Sequence, residues 1–88
     1  LDLQIHACGP AHRAVVSAIR NTHLYEMALV GPNMRNIIPP VYACGYSDQP
    51  EDLSKDGTVP VPDKPGLGVI YDWDYINRNK ISKQIFHK

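Results

Sequence analysis

No apolar run in this 88-residue chain approaches the roughly 20 residues needed to cross a bilayer, because proline and glycine interrupt the long uncharged stretches. Neither sign of charge is in excess: nine Lys and Arg balance nine Asp and Glu, for a formal net charge of zero. Nucleic-acid binders and polybasic membrane anchors both need a basic surplus, so neither is expected. Cysteine is scarce. Cys8 and Cys44 are too few for a disulfide scaffold, and no Cys-x-x-Cys pair provides a zinc pattern. They read as two reduced, buried thiols, with a single bridge as the alternative. The first residues, Leu1-Asp2-Leu3-Gln4, lack the basic-then-apolar signature of a secretory leader, which makes a cytoplasmic location the expectation. They also lack Met, so the chain reads as processed, trimmed or part of something longer.

What is present is a globular composition, 43% hydrophobic and 20% charged, in a length that allows one small domain at most. Residues 1–30 read as strand, helix, strand. Leu1, Leu3 and Ile5 alternate with Asp2, Gln4 and His6, the period of a half-buried strand. Gly9-Pro10 breaks it. Ala11, Ala14, Val15, Ala18 and Ile19 then form a helical apolar stripe, with His12, Arg13, Ser17 and Arg20 on the polar face. Asn21-Thr22 ends the helix, and residues 24–30 form the second strand. Such a βαβ unit makes two parallel strands, and parallel sheets need helices on both faces. One helix over two strands does not supply them, so the unit calls for further partners.

Residues 31–88 differ in kind. Residues 31–68 hold seven of the eight prolines and five of the six glycines. Asp56-Gly57 signals a turn, Thr58-Val59-Pro60-Val61-Pro62 allows a short edge strand, and Lys64-Pro65-Gly66-Leu67-Gly68 turns again. Asp72 or Asp74 is placed to cap a short helix through Tyr75, Ile76 and Asn79. The basic residues at the end are expected to fray. A connection of this length with little regular structure is unusual in a compact domain and suits a segment wrapped over a larger body.

Two residues stand out for chemistry. His6 and Glu26 each lie toward the C-terminal end of one expected strand, the edge where α/β folds build sites. Neighbouring strands run about 4.8 Å apart, so the two side chains are expected to project into one cavity. Imidazole exchanges a proton near neutral pH, and a carboxyl group held protonated donates a hydrogen bond to a developing oxyanion. A structural His–Glu contact is the competing reading. The remaining candidates read as structure: His12 and His23 as solvated, His87 as tail, Gly66-Leu67-Gly68 as a turn without the rest of a phosphate cradle. Asp48, Glu51 and Asp52, and likewise Asp72-Trp73-Asp74, lack calcium-loop spacing and read as solvated surface. Tyr42, Tyr46, Tyr71, Trp73 and Tyr75 read as anchors of the wrapping segment.

Three stretches together resemble a known family. Gln4-Ile5-His6 followed by a helix, then Asn21-Thr22-His23-Leu24-Tyr25-Glu26-Met27, then Val61-Pro62-Asp63-Lys64-Pro65-Gly66-Leu67-Gly68-Val69 are similar to the C-terminal portion of the mandelate racemase / muconate lactonizing enzyme group of the enolase superfamily. The third stretch resembles its Pro-x-x-Pro-Gly-Leu-Gly-Val segment. The twenty positions from His6 to Glu26 match the spacing of its barrel histidine and eighth-strand glutamate.

The resemblance implies an α/β fold, the C-terminal part of a modified (β/α)7β TIM-type barrel. Residues 1–30 are then its last β-α-β unit, and 31–88 a segment that packs on the barrel and returns to the α+β capping domain. It implies abstraction of the proton α to a carboxylate bound on Mg2+. His6 is implied as general acid or base, and Glu26 as the acid that hydrogen-bonds the substrate carboxylate. A barrel of this kind needs roughly 250 residues, so the metal ligands, the lysine-bearing strand and the partner of the histidine are expected outside these 88. The expected parent is a lyase, an acid-sugar dehydratase, with a racemase or epimerase as the near alternative and a stand-alone interaction module as the distant one. The expected partners are a sugar-acid carboxylate, the rest of the barrel and cap, and further copies of the enzyme. The 88-residue piece alone is expected to be inactive.

Overall fold

The structure, a computed structural model, describes residues 1–27 and 41–87. Its regular elements are helix α1 over Pro10–Ala18, a 3-10 turn over Pro50–Asp52 and helix α2 over Trp73–Asn79. Gly9 and Pro10 set the start of α1. Gly9 takes φ 137, a conformation side chains disfavour, and Pro10 fills the first turn, where its missing N–H costs nothing. The helix stops at Ala18, before the Asn21-Thr22 boundary that the sequence suggests. The Ser17 hydroxyl donates to the Ala14 carbonyl at 2.8 Å, a bond that competes with the helical backbone, and Ile19 turns to ψ 149. For α2, Asp72 is the cap: its carboxylate accepts the Tyr75 N–H at 2.8 Å.

The strands expected over residues 1–6 and 24–30 form no ladder within the described residues, and 28–30 lie outside them. Backbone groups pair singly instead. The Leu3 N–H donates to the Asn21 backbone carbonyl at 2.7 Å, and the Asn21 side-chain Nδ2 donates to the Leu1 carbonyl at 3.1 Å. A sheet needs such bonds in register along both chains, and that repetition is missing here. The edge strand expected over 58–62 likewise forms no ladder. Among the described residues one β-bridge forms, antiparallel, joining Tyr42 to Tyr71. It is flanked by Ala43 N–H to the Ile70 carbonyl and Asp72 N–H to the Val41 carbonyl, both 2.8 Å.

This bridge gathers aromatic rings. Tyr42 stands 4.8 Å from Tyr46 edge to face and 5.5 Å from Tyr71, and Tyr71 stands 5.9 Å from Trp73. They tie the two ends of the 41–73 loop together. Within that loop Asp56-Gly57 turns as its sequence predicts, with the Gly57 N–H on the Ser54 carbonyl at 3.0 Å. Gly68 takes φ 72, and a Cβ there would lie 2.5 Å from the Pro62 Cβ. The second glycine of Pro-Gly-Leu-Gly is therefore required twice, by conformation and by contact.

The interior inverts the usual pattern. Among the described residues Cys8 is the buried hydrophobic side chain, while Arg13 and Asp48 are buried charges. Helix α1 turns its apolar stripe outward: Ala11, Ala14, Val15 and Ala18 are exposed. Arg13, expected on the solvated face, is 2% exposed. A charge goes inside only with partners, and Arg13 finds them on segments far along the chain. The chain spans 39 × 37 × 22 Å with a radius of gyration of 14.9 Å, against about 12 Å for a compact domain of this length.

Candidate functional site

His6 and Glu26 meet. The imidazole Nδ1 lies 3.2 Å from Glu26 Oε2. The same oxygen accepts the backbone N–H of Ala7 at 2.8 Å. Glu26 thus holds both the imidazole and the peptide group that follows it. Ala7 needs that hold, since it sits at φ 71, in the left-handed region. That conformation costs a residue with a Cβ about 1–2 kcal/mol. The hydrogen bond from its N–H to Glu26 acts against that cost.

The pair stands on open surface. The His6 side chain is 94% exposed and that of Glu26 44%. The shared cavity expected of two adjacent strands does not enclose them, because no ladder holds those segments side by side. A cavity of about 330 Å³ lies elsewhere, lined by Val16, Thr22, Leu24, Tyr25, Leu53 and Val61 among others. With Nδ1 turned to the carboxylate, Nε2 is the nitrogen left for an incoming group, placed to take or give a proton.

A second constellation, which sequence reasoning missed, backs the first. The Arg13 guanidinium donates to Asp48 Oδ1 at 2.9 Å, to the Pro60 carbonyl at 2.8 Å, and to Asp52 and the Ser47 carbonyl. It lies over two rings, 4.4 Å from the centroid of Tyr46 and 5.2 Å from that of Tyr25. Asp48 also accepts the hydroxyls of Tyr46, at 2.9 Å, and Tyr25. Asp48 and Asp52, which read as solvated surface, here neutralise a buried cation of the same chain. One signal was available: Arg13 is the sole Lys, Arg, Asp or Glu within α1.

Protonation states follow from this packing. Burial lowers the pKa of Arg13, but hydrogen bonding with Tyr25, Asp52 and Asp48 outweighs it and raises the net value, so the cation is permanent. Burial is the first cause that pushes the phenols of Tyr46 and Tyr25 above the ordinary tyrosine range. Hydrogen bonds with Tyr25 and Asp48 add to it for Tyr46, while for Tyr25 the bond to Asp48 adds to it against lowering by Tyr46, Gly9 and Arg13. Both therefore stay protonated and serve Asp48 as donors.

The remaining candidates lie apart from these groups. His23 and His87 are exposed and His12 is half-buried. Gly66-Leu67-Gly68 is a turn, with the Gly68 N–H on the Pro65 carbonyl at 3.3 Å. Asp72 is occupied as a helix cap. Both cysteines are thiols, but only Cys8 is buried. Cys44 is exposed, which corrects the expectation for that residue. Its thiol is lowered below the usual range by the N–H of Ile70, 3.3 Å from Sγ, and by that of Tyr46. Among the described residues no three His, Cys, Asp or Glu side chains converge to hold a metal ion, and no helix is long and apolar enough to cross a membrane. Comparison with protein-family models, with characterised proteins and with solved structures finds no match to this chain.

Proposed function

We propose that these residues form the C-terminal part of an enolase-superfamily enzyme of the mandelate racemase / muconate lactonizing enzyme group, acting as an acid-sugar dehydratase. One observation carries the reading: an imidazole and a carboxylate twenty positions apart come within 3.2 Å of each other, with the imidazole open to solvent. The requirement for glycine at Gly68, within the Pro-Gly-Leu-Gly stretch of the resemblance, gives it further support. The described donor set does not fit Mg2+. The reading therefore assigns the metal ligands to chain beyond these 88 residues, and no step here runs through the ion.

In the proposed reaction a base elsewhere in the enzyme takes the proton α to the substrate carboxylate. His6, as imidazolium, gives the Nε2 proton to the β-hydroxyl as its carbon–oxygen bond breaks, and water leaves. The resulting enol becomes a 2-keto-3-deoxy acid. Glu26 fixes the imidazole through Nδ1 and presents its partly exposed carboxyl group to the substrate carboxylate.

The test uses the longer enzyme carrying these residues, loaded with Mg2+ and given a panel of sugar acids in deuterated water. A dehydratase yields the keto acid with loss of the β-hydroxyl, whereas a racemase exchanges the α-proton and keeps that hydroxyl. Replacing His6→Asn is expected to reduce turnover about 1,000-fold, within the usual range for a general acid or base, while Mg2+ binding is unchanged. A His6→Asn variant that runs at full speed, or one that loses its metal, overturns the role given to His6.

A further inference from the structure

Among the described residues, His6 and Glu26 both lie outside the helices. His6 precedes α1 by four residues, and two of those between, Ala7 and Gly9, have positive φ, at 71 and 137. Glu26 lies on a segment that forms no ladder among the described residues. Hydrogen bonds from Ala7 and Gly9 join the two segments. The Ala7 N–H reaches Glu26, and two residues on the Gly9 N–H reaches the hydroxyl of Tyr25, the neighbour of Glu26, at 2.9 Å. The first bond belongs to the pair itself. The second depends on where the Tyr25 hydroxyl is held.

We infer that Asp48, acting through Tyr25, is a positioning residue for the His6–Glu26 pair; this rests on the function proposed for the pair. Asp48 is 7% exposed and is fixed from two sides, by the Arg13 guanidinium and by the Tyr46 hydroxyl. It accepts a hydrogen bond from the Tyr25 hydroxyl, whose oxygen in turn accepts the Gly9 N–H. The relay thus runs from a buried carboxylate, through a phenol, to the backbone that carries the imidazole. None of these groups touches a reacting atom. Their effect is to fix the His6 backbone relative to Glu26 through a junction whose own conformation is strained.

The first measurement needs no variant. In the longer enzyme carrying these residues the amides of Ala7 and Gly9 are expected to exchange slowly with solvent deuterium and to open together as denaturant is added. An Ala7 amide that exchanges at the random-coil rate while Gly9 is protected overturns the inference. The second compares Tyr25→Phe with Tyr46→Phe. Each removes one hydroxyl from Asp48, but only Tyr25 contacts Gly9. Tyr25→Phe is expected to speed exchange at Ala7 about tenfold and to shift the His6 ring nitrogen resonances, with the amides of α1 unchanged. A merely structural lesion would accelerate all of them together. Tyr46→Phe, which leaves the Tyr25 hydroxyl between Asp48 and Gly9, is expected to change the Ala7 and His6 signals several-fold less than Tyr25→Phe does. Equal effects of the two variants at Ala7 and His6 overturn the assignment.

Kinetics in the longer enzyme separate this inference from the reading beneath it. Displacing a catalytic group by about 1 Å can cost about 100-fold in rate. Tyr25→Phe is therefore expected to lower kcat about 10- to 100-fold with KM within about twofold. If His6→Asn abolishes turnover while Tyr25→Phe leaves kcat unchanged, the positioning role fails and the catalytic pair survives. If neither affects turnover, the function proposed for the pair fails.

Discussion

Among the described residues, two side-chain pairings that join distant parts of the chain contrast in burial: Arg13 with Asp48 and Asp52, and His6 with Glu26. Arg13 and Asp48, 35 residues apart, have side chains 2% and 5% exposed and are surrounded by further partners. His6 and Glu26 have side chains 94% and 44% exposed. Burial decides what each pair does. A guanidinium taken from water stays inside only while every acceptor around it is kept in place, so that pair fixes structure. A pair left in water contributes little to stability, and its imidazole stays within reach of a ligand. The lesson is that buried charges make up this chain's interior, while the His6 imidazole stands at the surface.

The sharpest way to break this contrast is truncation on both sides. Arg13→Ala leaves Asp48 buried without its cation, which costs about 3–5 kcal/mol and is a large share of a small domain's stability. His6→Ala is expected to change stability by less than about 0.5 kcal/mol. Urea unfolding of both variants checks the pair of values, and equal losses would erase the distinction.

A smaller effect is expected from Gly68→Ala. The new methyl group meets Pro62 and requires the left-handed backbone region, which alone costs about 1–2 kcal/mol. Pro62 is two residues from the carbonyl that accepts from Arg13. The variant should loosen the clamp from its far side while the Ala7 amide keeps its protection.

The mildest probe is thiol labelling. Cys44 is exposed and its thiol is lowered by backbone N–H groups, whereas Cys8 is 5% exposed and two residues from His6. At neutral pH Cys44 is expected to react at least about tenfold faster than Cys8, because the thiolate is the reactive species. In Arg13→Ala the two rates should converge. Mass spectrometry of the labelled peptides distinguishes them.

Local features were legible in the sequence, and distant ones were not. Gly9-Pro10 announced the start of α1, Asp72 the cap of α2, and Asp56-Gly57 a turn, since each acts on backbone within a few residues. His6 and Glu26 were singled out by their place at the ends of two expected parallel strands, and they do meet, though no ladder forms among the described residues. The burial of Arg13 was missed, because its acceptors lie 34 to 47 residues away. The outward turn of the apolar stripe was missed for the same reason: periodicity marks two faces of a helix without saying which one the rest of the chain will cover.

The sequence by itself determined where helices begin, where the backbone must turn, and which side chains can carry a proton. Only the tertiary structure decided that a charged residue would occupy the interior and that the imidazole would remain in water. The physical reason is that turns and caps are settled by neighbouring atoms. Desolvating a charge is settled by whether several acceptors from remote segments arrive at one point together.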